Sequence, residues 1–181
     1  MKILKTIATM LGVTLMLAGP HALAERTAGE TLDDTTVQAS VKAALADSDA
    51  VKASEIDLET YKGEVQLAGF VATEAEKAAA GTIAAGVEGV TKVNNSLVVS
   101  APDRSMGQTL DDQTAETKIK AALLGDEVVA GLEVNVEVRR GVALLSGFTE
   151  TAAQKARAGE LAGQVEGVTD VRNAVIVKPK G

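Results

Sequence analysis

Cysteine is absent from this 181-residue chain, and histidine occurs once, at position 21. Without cysteine there is no disulfide to staple the fold, no thiolate nucleophile and no thiolate for a zinc site. A lipidated N-terminus would also need a cysteine just after the first apolar run. Long apolar runs are missing as well: the stretch from Ile7 to Leu17 is well short of the roughly 20 residues that span a bilayer, and nothing comparable follows Glu25. Basic charge is in deficit, with 18 Lys and Arg against 25 Asp and Glu, a formal net charge of −7.

The N-terminus is read as an export signal. Lys2 and Lys5 precede the apolar run, and Ala22-Leu23-Ala24 supplies the small residues of a cleavage site. Cleavage is expected after Ala24, leaving a mature periplasmic chain without a transmembrane segment. The signal carries away two lysines, no acid and His21, so the mature protein would be more acidic still and would have no histidine base or imidazole ligand. Nucleic acid is excluded as a generic partner, because counterion release requires clustered Lys and Arg. No catalytic set, metal site or cofactor is expected.

What the chain does have is a repeat. Thr31-Leu32-Asp33-Asp34 recurs as Thr109-Leu110-Asp111-Asp112, and the same offset of 78 maps Lys42–Leu45 onto Lys120–Leu123, Gly69-Phe70 onto Gly147-Phe148 and Val87–Thr91 onto Val165–Thr169. A gap-free repeat longer than the roughly 20 to 50 residues of solenoid units marks two tandem domains. The expected boundaries are a signal at 1–24, a tail at 25–30, domain 1 at 31–100, a polar linker at 101–108 and domain 2 at 109–178.

Each copy is read as αββαβ. Val37, Val41, Ala44 and Leu45, matched by Ala115, Ile119, Ala122 and Leu123, form one helical stripe. Alternation through Ile56 and Leu58, a turn at Gly63, then Val65 and Leu67 make a hairpin. Thr73 with Glu76, and Thr151 with Gln154, have the spacing of capping boxes that open a second helix. That helix carries small residues, Ala80, Gly81 and Ala84, suited to close packing on a sheet. Gly89 and Gly167 suit the left-handed position after it. Val93, Asn95, Leu97 and Val99 then alternate as one last strand. The fold class is α+β: in each module, two helices on a small three-stranded sheet.

The pattern G-x-V-x-L-x-G at Gly63, Val65, Leu67 and Gly69, followed by V-x-G-V-x-x-V-x-N-x-L from Val87 to Leu97, resembles the BON domain. The second copy matches at Gly141, Leu145, Gly147, Val165, Gly167, Val168, Val171 and Asn173, and departs conservatively at Ala143 and Val175. A signal plus two such domains is the architecture of OsmY-type osmotically inducible periplasmic proteins. The resemblance implies a non-catalytic role in osmotic or envelope stress, with anionic phospholipid surfaces or envelope proteins as partners. A chaperone-like hold on unfolded clients is the alternative.

Among the residues themselves, the hairpin tips stand out. Tyr61-Lys62 and Arg139-Arg140 are candidate contacts for lipid phosphate, and Lys92 and Arg172 would extend a basic face if the fold brought them close. The plainer reading is a solvated turn. Phe70 and Phe148 are expected as core plugs, and Asn95 and Asn173 as side chains bonded to backbone. The acidic pairs Asp33-Asp34 and Asp111-Asp112 are expected to complement helix dipoles. Gly86-Val87-Glu88-Gly89 has the spacing of a KH loop but contains an acid, and Gln164 replaces the first glycine in the second copy. Oligomeric state and the contact between domains are not legible.

Overall fold

The computed structural model describes residues 33–101, 105–129 and 134–179. The signal at 1–24, the tail at 25–30 and linker positions 102–104 lie outside the described residues. Module 1 runs α1 (Asp34–Ala46), a single 3-10 turn (Ala53–Glu55), β1 (Ile56–Tyr61), β2 (Glu64–Val71), α2 (Glu74–Ala85), β3 (Lys92–Asn95) and β4 (Val98–Val99). Module 2 repeats it as α3 (Met106–Gly125), β5 (Val134–Arg139), β6 (Val142–Thr149), α4 (Ala152–Gly163), β7 (Asp170–Asn173) and β8 (Ile176–Val177).

The central strand of each sheet is the second of the hairpin. β2 runs antiparallel to β1, with Leu58 opposite Leu67, and parallel to β3 and β4, which follow it along one edge. A parallel neighbour requires a crossover, and α2 is that crossover. The single last strand expected from the alternation is two short strands. At the break Ser96 N–H donates to Leu67 O and approaches Asn94 O, which pinches the chain so that Leu97 turns inward, 1 % exposed.

The two periodicities meet in one core per module. Val37, Val41 and Leu45 from α1 pack with Val65, Leu67 and Val71 from β2 and with Ala80 and Ala84 from α2. Gly81 lets α2 come close, since a Cβ there would lie 2.8 Å from Asn95 Nδ2, whose N–H donates to Lys77 O at 2.7 Å. Asn173 Nδ2 makes the same bond to Lys155 O in module 2. Both asparagines tie sheet to helix through backbone, as their type and place suggest.

Three local expectations need revising. Thr73 accepts from Glu76 N–H, but the Glu76 carboxylate does not return to Thr73; it accepts from Ala72 N–H and Lys52 N–H, fastening the loop before β1. Only the module 2 pair Thr151–Gln154 forms the reciprocal box. Gly89 is left-handed, at φ +90°, but in a turn beyond the helix, whose last residue is Ala85. Helix α3 begins at Met106 inside the segment read as linker, because Ser105 and Gln108 make a capping box of their own.

The odd residues of β2 face its helices, and the even residues Gln66, Ala68 and Phe70 are buried too. They are covered by module 2. Ala68, Phe70 and Leu144 form a third apolar cluster, separate from both module cores. Phe70 is therefore a plug between modules rather than within one, and Phe148 lies partly exposed with its ring 5.6 Å from that of Tyr61. All three aromatic residues of the chain meet at this contact.

Candidate functional site

Each hairpin turns through two residues with positive φ: Lys62 at +51° and Gly63 at +74°, Arg140 at +54° and Gly141 at +76°. That is the backbone of a type I′ turn, whose twist matches the strands it joins. A lysine or arginine there is strained by roughly 1 kcal/mol or more, so something must hold it. The Asp34 carboxylate accepts from Lys62 N–H at 2.7 Å and Gly63 N–H at 2.8 Å; Asp112 accepts from Arg140 N–H at 2.9 Å and Gly141 N–H at 3.0 Å. The second acid of each T-L-D-D motif thus clamps a hairpin tip to a helix. Asp34 opens α1, whereas Asp111 and Asp112 lie in the second turn of α3, whose first turn holds no acid, so the expected dipole complementation does not hold in module 2. From the other side, Thr91 N–H donates to Gly63 O and Thr169 N–H to Gly141 O, both at 2.8 Å. Each tip is thus fastened from both sides.

The four candidate side chains do not share one surface. Lys62 is exposed, its ammonium 5.5 Å from the centroid of the half-buried Tyr61 ring. Tyr61 leans on Phe148 of the other module, with Lys178 on its face at 5.1 Å. Arg139, only 7 % exposed, turns away from its tip: its guanidinium lies 5.1 Å from the Phe70 ring centroid and reaches Glu55 at 3.4 Å and Glu137 at 3.6 Å. Of the arginine pair, Arg140 is the one exposed at the tip, beside a groove of ≈ 500 Å³ that also takes in Lys118, Asp111 and Glu166.

Lys92 and Arg172 do not extend a bare basic face. Lys92 pairs with Glu64 at 2.7 Å and Arg172 with Asp170 at 2.9 Å. Hydrogen bonds from Lys92 and Asn94 hold the Glu64 carboxyl below its ordinary pKa.

One surface was missed by sequence reasoning. Helix α3 buries Asp112, Ala115, Ile119 and Leu123 on one side, yet Met106 is 85 % exposed, Leu110 62 % and Leu124 75 %, with Val128 at 48 % just past the helix end. At 100° per residue, Met106, Leu110, Gln113, Thr117, Ala121 and Leu124 fall on one stripe opposite the buried one. No acid lies on that stripe, in a chain with a clear excess of acids. The signal is present in the sequence as Met106 and Leu110, but Pro102, Ser105 and Gly107 give this segment the composition of a linker, which hides its helical phase. Asp126 and Arg157, paired at 2.8 Å, tie the end of α3 to α4, and that pairing lowers the Asp126 pKa.

Between the modules runs a groove of ≈ 520 Å³, with Val98, Val99 and Leu144 among its apolar walls and Lys77 and Arg172 at its polar ones. Among the described residues no group of His, Asp and Glu could hold a metal ion, and no helix is long and apolar enough to cross a membrane.

Comparison with known proteins places this geometry. The BON domain family model matches twice, at residues 33–101 and 111–179. Osmotically-inducible protein Y of Escherichia coli is 40 % identical over 151 residues, covering 83 % of this chain and 75 % of that protein. Outer membrane lipoprotein DolP of Haemophilus influenzae is 32 % identical over 182 residues, covering 93 % of each. A 21 kDa hemolysin of Actinobacillus pleuropneumoniae is 33 % identical over 147 residues, covering 81 % of this chain and 75 % of the hemolysin.

Proposed function

We propose that this chain, which belongs to the BON-domain family, is a periplasmic protein of osmotic or envelope stress, freed from its signal after Ala24, that works by contact with anionic phospholipid surfaces rather than by catalysis. The names of its relatives, one osmotically inducible and one an outer membrane lipoprotein, support the setting. The observation that carries the contact is the outer stripe of α3. Met106, Leu110 and Leu124 stand in solvent where a folded domain gains nothing from them, and Arg140 projects from the tip that Asp112 fastens to the same helix. Apolar side chains and a nearby cation suit an interface that is apolar beneath and anionic above.

The magnitudes keep this contact weak and reversible. Inserting one leucine stabilises by about 1.5 to 3 kcal/mol when burial is complete, and one cation near an anionic surface by about 1 kcal/mol. The acidic remainder of the molecule opposes approach, more so at low salt. Lys62 of module 1 serves as a second, smaller contact, and Arg139 acts through packing.

The test is co-sedimentation of residues 25–181 with neutral and anionic vesicles at low and physiological salt. Wild type should be recovered with anionic vesicles, and L110E/L124E should lose most of that recovery, more than K62E does. Equal recovery of L110E/L124E and wild type would overturn the assignment.

A second reading, a chaperone-like hold on unfolded clients, is supported by the groove between the modules, where Val98, Val99 and Leu144 offer apolar surface beside the charged Lys77 and Arg172. It expects suppressed aggregation of a denatured client in the absence of lipid, unaffected by L110E/L124E.

A further inference from the structure

The contact between modules follows the repeat offset. Tyr61 of module 1 lies against Phe148 of module 2, and the positions 78 residues away, Arg139 and Phe70, make the reciprocal contact. The two modules therefore meet through the same face, as the halves of a twofold dimer do. The chemistry at the matched positions is not the same. Gln66 is 1 % exposed; its amide donates to Ala174 O at 2.6 Å and accepts from Gly147 N–H at 2.8 Å, satisfying two backbone groups of module 2. Its counterpart Leu144 can form neither bond. Module 1 brings acids, Glu55, Asp57 and Glu59; module 2 answers two of them, with Arg139 at Glu55 (3.4 Å) and Asn135 at Glu59 (3.0 Å).

These differences discriminate against like pairs. Two copies of module 1 joined through this face would set Asp57 against Glu59 at both ends, where the observed seam relieves one end with Asn135 at Glu59 and the other with Arg139 at Glu137, and like charges brought together are destabilising. Two copies of module 2 would put leucine where Gln66 stands, leaving Gly147 N–H and Ala174 O without that partner at a cost of about 1 to 3 kcal/mol each. The face is also a smaller apolar seam than the modules themselves: among the described residues three buried apolar side chains form its cluster, beside the buried Gln66 and Arg139, against eleven apolar ones in each core. It can open while the modules stay folded.

We propose that this sheet face is a heterotypic docking surface that works between chains as well as within one, and that the partner it fits is a second copy of this chain in reciprocal exchange, module 1 of each docked on module 2 of the other. The code is the acids of module 1 against Arg139 and Asn135, with Gln66 as the polar key. Exchange preserves every contact of the closed single chain and doubles it. High local concentration drives it, and the chain's own linkage, which keeps the two faces together at high effective concentration, opposes it.

The experiment uses two full-length variants. In R139E the new acid faces Glu55 and Glu137; in E55R the new cation faces Arg139 and Lys52. Each alone weakens its own closed contact. Mixed, the two are complementary at both seams: Glu55 of the first meets Arg139 of the second, and the arginine introduced in the second meets the glutamate introduced in the first. Light scattering on a sizing column should show each variant alone as a single chain and the equimolar mixture as a species of doubled mass containing both. Tyr61, the one tyrosine in a chain without tryptophan, reports the seam through near-ultraviolet circular dichroism, and far-ultraviolet dichroism checks that the modules remain folded. The E55R/R139E chain should recover the wild-type tyrosine signal lost in each single variant. A mixture that stays at single-chain mass while E55R/R139E recovers that signal overturns exchange between chains. Failure of E55R/R139E to recover it overturns the charge code itself.

Discussion

Replacing Asp112 by asparagine is the sharpest test of how the exposed tip is held. The carboxylate is 4 % exposed and accepts two backbone N–H groups, from Arg140 at 2.9 Å and Gly141 at 3.0 Å. Asparagine preserves the shape but has one acceptor oxygen, so one N–H must face an NH2 group. A hydrogen bond to a charged acceptor contributes about 1.5 to 3 kcal/mol. The Arg140 N–H sits at an exposed tip and water can replace part of its bond, whereas Gly141 is half-buried. The loss is therefore about 2 kcal/mol, with the positive φ of Arg140 no longer offset. Urea unfolding followed by far-ultraviolet dichroism measures it, and hydrogen exchange should speed up at residues 140 and 141 before the sheet as a whole. The Asp34→Asn change should cost less, because Asp34 is half-buried whereas Asp112 is buried. A loss below about 0.5 kcal/mol for Asp112→Asn, with unchanged exchange at the tip, would refute the clamp.

Glycine positions separate equally clearly. A Cβ on Gly69, at φ +124°, would lie 2.2 Å from Glu55 O, so Gly69→Ala should unfold module 1 at markedly lower temperature, by about 3 kcal/mol or more; Gly107→Ala, in the open first turn of α3, should be neutral or stabilise by up to about 1 kcal/mol in the same thermal melt. Gln66→Leu should destabilise by about 1 to 3 kcal/mol per group left unpaired and shift the tyrosine dichroism, and an unchanged melt would show that water replaces both bonds. Because pairing lowers the Asp126 and Glu64 carboxyls in the folded state, their stabilisation is present above the ordinary carboxylate pKa and is lost as pH falls through the lowered one. The difference in melting temperature between wild type and Asp126→Asn should accordingly shrink on going from neutral pH to below pH ~3, and a difference constant with pH would refute it.

How much of this was readable beforehand depends on the range of the interaction. Gly63 and Gly141 were recognisable as turn residues because a two-residue hairpin restricts φ locally. Thr151 and Gln154 were recognisable as a cap because both partners lie within one turn of helix. The pair Thr73–Glu76 has the same spacing, yet Glu76 spends its carboxylate on Lys52 N–H, 24 residues away. The alternation along β2 marks Val65 and Leu67 for the core, and the apolar character of Ala68 and Phe70 on the opposite face was the available sign that this strand is covered on both sides. Of the candidate site, Lys62 and Arg140 were found from the turn, whereas Arg139 was assigned to the tip by adjacency although strand residues alternate faces and its face is the one that meets module 1.

The sequence by itself determined the duplication, the two helices and hairpin of each module, their inner stripes and the family, because these follow from period, offset and turn chemistry that each segment carries alone. Tertiary structure decided that the modules share a face, that Gln66 and Arg139 are bonded across it, that Asp34 and Asp112 hold the tips, and that α3 leaves a second apolar stripe in solvent. These depend on groups brought together from distant positions, 81 residues apart for Gln66 and Gly147. No local period encodes such a meeting; the burial of both faces of a strand sets where the chain must close, and the donors and acceptors found there set with what.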